Sequence, residues 1–319
     1  MKTYLEKFIL PTQGQEENWI SLSSCGYRDL LGDPNVYPFN IFGWKEFSEI
    51  DFAPITIFYG GNGSGKSTLL NIMTQKLNMR RISPRNDAHM FDDYCDLCDF
   101  RTGWDEDYNI PLNVPSGSAL LTSDDVFEYM NAVRMHNEEI GEQYDKAYGF
   151  YASRKKPESI EKGVNLLEKK DLLDELCEDN YELRREILQK LSRSHSARAF
   201  AEKMFGKQTI PKSNGQTALE FFNKKIKDEK VYLLDEPENS LSPKLQLELI
   251  KILEDSVKYC DCQLVIATHS PLLLSIEGAK IYDLDVTPVD VKKWYELENV
   301  KIYFEHFYKN RNLFKKSKR

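Results

Sequence analysis

The residues with the clearest chemical potential lie in the glycine-rich stretch 60–68. It fits the pattern G-x-x-x-x-G-K-[ST], with a β-branched and aromatic run before it at residues 55–58 and apolar residues at helical spacing after it. Between a strand and a helix, such glycines allow backbone N–H groups to surround a polyphosphate. Lys66 would then contact the β- and γ-phosphates, and the Ser67 hydroxyl would bind Mg²⁺. The sequence therefore predicts a nucleoside triphosphate site made of Gly60, Gly61, Asn62, Gly63, Ser64, Gly65, Lys66, Ser67 and Thr68.

Two adjacent acids follow a second apolar run, at residues 231–234. At the carboxyl end of a strand, Asp235 can hold Mg²⁺ directly or through water, and Glu236 can accept a proton from the attacking water. Adjacent acids also occur in turns and at helix caps, but a phosphate-binding loop in the same chain favours the catalytic interpretation. Asp235 is thus the expected metal ligand beside Ser67, and Glu236 is the expected general base.

A histidine ends the third apolar run. His269 follows residues 263–267, which are predicted to form a strand. A lone histidine is most often structural. Because the carboxyl ends of parallel strands share one edge of a sheet, we expect His269 near the phosphates, where it would contact the γ-phosphate or position the water. The expected catalytic residues are therefore Lys66, Glu236 and His269.

Length and composition are ordinary for a folded chain. The 319 residues are 41% hydrophobic and 29% charged, with a formal net charge of −8, which suggests two domains or one domain with a large insertion. No apolar run approaches the roughly 18 residues of a membrane span, and residues 1–6 do not resemble a signal peptide, so we expect a cytoplasmic location. The basic residues within 309–319 form either a solvated end or a local contact for nucleic acid.

The cysteines raise the question of a metal site. There are six of them, and in a cytoplasmic protein free thiols are the rule. Cys95 with Cys98 and Cys260 with Cys262 could supply four zinc ligands. Neither pair has the regular spacing of a zinc finger, so free thiols are the prediction and a zinc site is the less favoured alternative.

The remaining pattern alternates strands and helices. This order predicts an α/β protein with a mainly parallel central sheet and an antiparallel N-terminal sheet. The expected division is a core at residues 1–125 and 206–319 and an inserted helical lobe at 126–205. The further predicted elements are strands at 4–10, 47–52, 118–122 and 281–284, helices at 217–227 and 243–257, a loop with one short strand (19–22) at 12–36, and irregular surface at 80–117.

Three motifs together resemble those of a known family. The glycine loop, Leu-Leu-Asp-Glu-Pro-Glu at 233–238 and Ala-Thr-His-Ser-Pro at 267–271 resemble the Walker A, Walker B and H-loop motifs of ATP-binding-cassette (ABC) ATPases. They look most like the soluble, stand-alone ATPases of the branch related to SMC and DNA-repair proteins. The resemblance implies a P-loop fold of the ABC type. Residues 238–243 are similar to that family's D-loop, which contacts the opposite subunit, although Ser242 stands where an acidic residue is usual.

Residues 212–217 resemble a degenerate form of the family's signature motif. The resemblance implies that Ser213, the backbone of Gly215 and a helix beginning near Gln216 bind the γ-phosphate held by another protomer. Without the resemblance, the same residues are a turn before a helix.

Two expected contacts of that family have no clear counterpart. The strand at 118–122 lies where the Q-loop strand should fall, yet Ser123 and Asp124 follow it instead of a glutamine. The adenine contact is also unassigned. Its candidates are aromatic residues that could equally belong to the core, namely Tyr4, Phe8, Tyr37 and Phe39.

The resemblance implies Mg²⁺-dependent hydrolysis of ATP by a head-to-tail dimer that holds two ATP molecules between its subunits. Hydrolysis would release the pair and switch a process that involves a nucleic acid or an effector protein, with genome defence or repair as the expected setting. The alternative is the nucleotide-binding subunit of a membrane transporter. A non-catalytic scaffold is a third hypothesis, which the intact Lys66, Asp235 and Glu236 disfavour.

Overall fold

The computed structural model describes residues 2–22, 37–84, 90–105, 108–155, 186, 196–205 and 213–315. The chain divides into two units. One consists of Met1–Glu128 with Asn214–Arg319, and the other is Tyr129–Ser213. The predicted domain borders after residues 125 and 205 stay predictions, because one helix crosses the first border and residues 206–212 lie outside the described residues.

The apolar runs at residues 55–58, 231–234 and 263–267 lie in strands, as the sequence pattern indicated. In the described part of the chain the strands are β1 (Leu5–Ile9), β2 (Glu49–Asp51), β3 (Ile55–Tyr59), β4 (Asp99–Thr102), β5 (Trp104–Asp105), β6 (Ile110–Pro111), β7 (Ala119–Thr122), β8 (Val231–Asp235), β9 (Gln263–Thr268), β10 (Lys280–Asp283) and β11 (Asp290–Lys292).

Several helices follow segments with apolar residues at helical spacing. The best example begins with proline, which suits the first turn of a helix, and buries Leu249, Leu253 and Val257 along one face. The described α-helices are α1 (Gln13–Leu22), α2 (Lys66–Lys76), α3 (Phe91–Leu97), α4 (Ser123–Lys155), α5 (Ala197–Phe205), α6 (Asn214–Lys225), α7 (Pro243–Tyr259), α8 (Glu298–Lys309) and α9 (Arg311–Lys315).

The central sheet has the strand order β11-β10-β3-β9-β8-β7. Neighbouring strands from β10 to β7 are parallel, and β11 pairs antiparallel with β10 at the edge. β3 and β9 are buried along their whole lengths, which is typical of parallel strands covered on both faces. The predicted α/β fold with a mainly parallel sheet is confirmed.

A separate antiparallel sheet has the order β2-β1-β4. The buried side chain of Gln263 in β9 connects the two sheets. Its amide oxygen accepts a hydrogen bond from the Leu5 N–H, and its amide nitrogen donates to the Leu5 carbonyl, both at 2.8 Å. The expected antiparallel N-terminal sheet is therefore present and is tied to the central one.

Two predictions of local structure are wrong. The segment expected to hold a short strand at residues 19–22 is the end of α1, because Glu16 and Ile20 are both buried on one face of a helix. The Glu16 carboxylate accepts hydrogen bonds from the Asn40 N–H (2.7 Å) and the Tyr94 hydroxyl (3.2 Å). Its polar partners are thus inside the fold.

The second error concerns residues 80–117, which were expected to be irregular surface. They contain α3 and the strands β4 to β6. The aspartates of α3 face solvent, whereas Phe91, Tyr94 and Cys95 on the same helix are buried in the core. The acidic composition therefore concealed an amphipathic helix.

The unit Tyr129–Ser213 contains helical segments in its described part. α4 continues into it and buries Ile140, Tyr144 and Ala147, while α5 buries Phe200 and Ala201. These positions form apolar helix faces. Among the described residues, no helix is long and apolar enough to cross a membrane.

Candidate nucleotide-binding and hydrolysis site

The carboxyl ends of three neighbouring strands bring the predicted motifs together. β9 lies between β3 and β8, with Tyr59 paired to Thr268 and Asp235 paired to Ala267. The glycine loop follows β3, His269 follows β9, and Asp235 ends β8. All of them therefore lie at one edge of the sheet, where ligands bind in open α/β folds.

The glycine loop has a backbone that requires glycine at several positions. Gly63 and Gly65 have φ angles of +82° and +102°, in the region that residues with a Cβ atom rarely adopt. A Cβ atom on Gly60 would lie 2.5 Å from Ser64 Oγ. The loop conformation thus explains these glycines in physical terms.

The N-terminus of α2 faces the same space as the loop. The first hydrogen bond of the helix runs from the Leu69 N–H to the Gly65 carbonyl at 2.9 Å, so the N–H groups of residues 66–68 have no acceptor within the helix. The Lys66 side chain is only 4% exposed, and its ammonium donates to the carbonyls of Gly60 (2.7 Å) and Gly61 (3.0 Å). Amide donors and a cation together form an anion site.

A hydroxyl and a carboxylate form the predicted Mg²⁺ site. Ser67 Oγ donates to Asp235 Oδ1 at 3.1 Å, although the two residues are 168 positions apart in the sequence. Burial raises the pKa of Asp235 to about 6, while the hydrogen bond from Ser67 opposes the rise. Hard oxygen ligands of this kind fit Mg²⁺, which would neutralise charge on the β- and γ-phosphates when bound.

Glu236 lies in the wall of the pocket above the loop. The pocket has a volume of about 470 Å³ and is lined by Tyr37, Ile41, Asn62, Gly63, Ser64, Gly65, Lys66, Ser67, Thr68 and Glu236. The φ angle of Glu236 is +47°, a left-handed conformation that is uncommon for residues other than glycine and is concentrated at functional sites. A predicted base thus faces the predicted phosphate site.

His269 contacts Glu236 and is not among the residues that line this pocket. Its Nδ1 atom lies 3.5 Å from Glu236 Oε1, and Asn239 Nδ2 donates to Glu236 Oε2 at 3.0 Å. In this arrangement His269 can act on the pocket by orienting the Glu236 carboxylate. Its predicted direct contact with a γ-phosphate stays a prediction.

The signature-like residues lie at the start of α6, which begins at Asn214 directly after Ser213, three residues before the predicted start at 217. Gly215 is buried, and a Cβ atom there would lie 2.3 Å from Leu245 Cδ1 of α7. A side chain at this position would therefore require Leu245 to move. The expected contacts of Ser213, Gly215 and Gln216 with a second protomer stay predictions.

Of the four aromatic candidates for the adenine contact, one lines the pocket and three lie in the core. Tyr4, Phe8 and Phe39 are buried in the core, whereas Tyr37 lines the pocket. The Tyr37 hydroxyl donates to Thr68 Oγ1 at 3.0 Å, which holds the ring beside the loop.

Tyr37→Ala is therefore expected to raise the KM for ATP about tenfold with little change in kcat, because a base stacked on an aromatic ring contributes about 1–3 kcal/mol. Steady-state phosphate release measures both constants. Tyr37→Phe is the matched control, since it keeps the ring and loses only the hydrogen bond to Thr68. An unchanged KM in Tyr37→Ala would exclude the ring as the base contact.

Two further residues support the loop and were not expected from the sequence. Lys45 donates to the carbonyls of Ser64 (2.7 Å) and Leu284 (2.5 Å), and its burial lowers the pKa of the ammonium. Asp285, directly after β10, accepts a hydrogen bond from the Gly61 N–H at 2.9 Å. Neither lies in a recognisable motif, so only the tertiary structure identifies them.

The cysteines do not form a metal centre in the part of the chain that is described. Within it, no group of three or more histidine, cysteine, aspartate or glutamate side chains is arranged to hold a metal ion. Cys95, Cys98 and Cys262 are buried free thiols, and Cys260 is half-buried. Burial raises the pKa of Cys262 to about 11, as expected for a structural thiol.

The comparison with protein families agrees with this site. A family described as "AAA domain, putative AbiEii toxin, Type IV TA system" matches residues 212–275, which contain Asp235, Glu236 and His269. The glycine loop, which lies outside the matched residues, follows the neighbouring strand β3 and contributes the remaining motif of the site. The protein is a P-loop ATPase. Its motifs resemble those of ABC-type ATPases. Membership of the soluble SMC-related branch stays a prediction.

Solved structures similar to this chain include the following three. The Smc head domain bound to the C-terminal domain of ScpA, from Pyrococcus furiosus, is 13% identical over 81% of this chain and 94% of that chain, with a TM-score of 0.35. CbiO1 from Clostridium perfringens, part of the ABC transporter complex cbiONQ, is 17% identical over 82% and 86%, with a TM-score of 0.33. A dimeric ATP-binding cassette in a post-hydrolysis state with ADP and Pi is 14% identical over 77% and 90%, with a TM-score of 0.32. No curated protein matches the sequence.

Proposed function

We propose that the ATPase binds ATP and Mg²⁺ in the pocket above the glycine loop and hydrolyses ATP with Glu236 as the general base. The loop amides and Lys66 would hold the β- and γ-phosphates, while Ser67 and Asp235 would hold Mg²⁺. One observation carries the proposal: the Ser67–Asp235 hydrogen bond of 3.1 Å lies in the same site as Glu236, which lines the pocket. The proposed metal ligands and the proposed base would therefore act on the same phosphate group.

The ATP-bound form is proposed to be a head-to-tail homodimer. In it, Ser213 and the N-terminus of α6 of one protomer would bind the γ-phosphate held by Lys66 and Ser67 of the other. A ligand shifts an equilibrium only through a difference in affinity, so a phosphate that contacts both subunits stabilises the pair until it is cleaved. Hydrolysis would then separate the subunits and act as a switch.

Glu236→Gln is expected to form a stable dimer with ATP and Mg²⁺ and to stay monomeric with ADP. Size-exclusion chromatography with light scattering measures the mass directly. The matched variant is Glu236→Gln with Ser213→Arg, which places a bulky side chain at the proposed contact and is expected to prevent the dimer. If Glu236→Gln remains monomeric with ATP, the homodimer proposal is wrong.

The switched process is proposed to involve an effector protein, in a cytoplasmic system of genome defence or repair. The support is the surface of α8 and α9, where Phe304, Phe307 and Phe314 are more than half exposed. These helices contain four lysine and arginine residues and two glutamates, within a chain whose net charge is −8. An acidic protein surface with apolar residues would complement them.

Stimulation of ATP hydrolysis separates this process from the alternatives. A purified acidic effector that raises kcat, with the effect lost in Phe304→Ser, would support the proposal. Stimulation by DNA or RNA that falls steeply with salt would identify a nucleic acid instead. Stable association with an integral membrane protein would favour the transporter subunit, which was the alternative drawn from the sequence.

A further inference from the structure

A second glutamate, Glu238, lies buried beside the proposed catalytic residues. It is 5% exposed, and its Oε1 atom accepts hydrogen bonds from Thr268 Oγ1 (2.5 Å) and from the His269 N–H (3.3 Å). Its Oε2 atom is also buried and has no hydrogen-bond partner among the described residues. Burial of an unpaired carboxylate oxygen lowers the free energy of unfolding, so stability does not explain Glu238.

The imidazole of His269 faces two carboxylates through one nitrogen. Nδ1 lies 3.5 Å from Glu236 Oε1 and 3.8 Å from Glu238 Oε1. Because Nδ1 carries at most one proton, a short hydrogen bond to one carboxylate weakens the contact with the other. The choice of acceptor therefore determines how firmly His269 holds Glu236.

The two carboxylates differ in exposure: the side chain of Glu236 is 26% exposed and that of Glu238 is 5% exposed. Glu236 faces the pocket and has Asn239 as a second partner, whereas Glu238 is enclosed and fixed to the end of β9 by Thr268. Glu238 can thus act as a fixed acceptor against which His269 is oriented.

We propose that Glu238 is a positioning residue that acts through His269. It fixes the His269 backbone and competes for the Nδ1 proton, which draws the imidazole away from Glu236 and leaves a Glu236 oxygen free to accept a proton from water. The inference rests on the proposed role of Glu236 as the general base.

The direct test is Glu238→Gln, in which the amide oxygen can still accept from Thr268 while the competing charge is removed. We expect kcat to fall about 10- to 100-fold, since misplacement of a catalytic group has effects of this size, with the KM for ATP within about twofold of wild type. The melting temperature should stay the same or rise. A fall in kcat together with a lower melting temperature would indicate a merely structural role and overturn the proposal.

A double-mutant cycle with His269→Ala shows whether Glu238 acts through the histidine. Glu238→Gln should have no further effect on kcat once His269 is alanine. An equal fall in both backgrounds would overturn the proposal, because Glu238 would then act by another route. Should Glu238→Gln fold poorly, Thr268→Val removes the hydroxyl that fixes Glu238 and is expected to lower kcat in the same His269-dependent way.

Control variants distinguish failure of the Glu238 inference from failure of the proposed catalytic roles. Glu248→Gln, on the exposed face of α7, is expected to leave kcat unchanged. If Glu236→Gln and His269→Ala both keep wild-type kcat, the proposed catalytic roles fail whatever Glu238 does. If both lose activity while Glu238→Gln keeps it, only the inference about Glu238 fails.

Discussion

Glutamine in place of Glu236 is expected to lower kcat for ATP hydrolysis by about 10²- to 10⁴-fold, the usual contribution of a positioned general base. The amide has nearly the size of the carboxylate but cannot accept a proton from water. Lys66, Ser67 and the loop amides remain in place, so the variant should still bind ATP. Phosphate release under single-turnover conditions measures the chemical step, and titration with a fluorescent ATP analogue measures affinity.

The comparison for this variant is Glu248→Gln, the same chemical change on an exposed surface of α7. It should hydrolyse ATP at the wild-type rate. Should Glu236→Gln retain more than about a tenth of wild-type kcat, another group must activate the water. The proximity of Glu236 to the glycine loop would then reflect local folding alone.

The central sheet could be predicted from the sequence because parallel strands place their carboxyl ends at one edge. The apolar runs before Gly60, Asp235 and His269 are short and uninterrupted, and the strands β3, β8 and β9 were expected from them. Their motifs therefore had to converge. The contact between Ser67 and Asp235 is consistent with this rule, since Asp235 ends β8 and Ser67 begins the helix after the loop that follows β3.

The helix α1 could not be recognised because a charged residue, Glu16, interrupts its buried face. Glu16 is buried although it is charged in water, and its partners Asn40 and Tyr94 are distant in the sequence. A local pattern contains no information on such partners. A buried carboxylate can be predicted only when the hydrogen-bond donors that compensate its burial are known.

The same reason explains which residues of the site were missed. Lys45 contacts the carbonyl of Leu284, and Asp285 contacts the Gly61 N–H, each across more than 200 positions. Glu238 was noted within the D-loop-like segment, but its burial against Thr268 was not foreseeable. Motifs identify groups that would touch the substrate, whereas the residues that hold those groups are fixed by tertiary packing.

Asp235→Asn is expected to abolish measurable ATP hydrolysis and at the same time to stabilise the protein. The first effect follows because an amide is a much weaker Mg²⁺ ligand than a carboxylate. The second follows from the pKa of Asp235, which burial raises from 3.8 to about 6. At neutral pH the folded protein must bury an ionised carboxylate, and at about 1.4 kcal/mol per pKa unit this lowers the free energy of unfolding by roughly 3 kcal/mol.

The sign of the pH dependence distinguishes this origin from better packing. Because the pKa is higher in the folded protein, the destabilisation is absent below pH 4, develops as pH rises towards 6, and is complete above it. Thermal unfolding in EDTA without nucleotide should therefore show Asp235→Asn several degrees more stable than wild type at pH 7.5, with the difference shrinking towards pH 4. Asp255→Asn, an exposed change on α7, should show no such difference at any pH. A gain that is constant across this range would mean that the cost of Asp235 to the fold does not come from its ionisation.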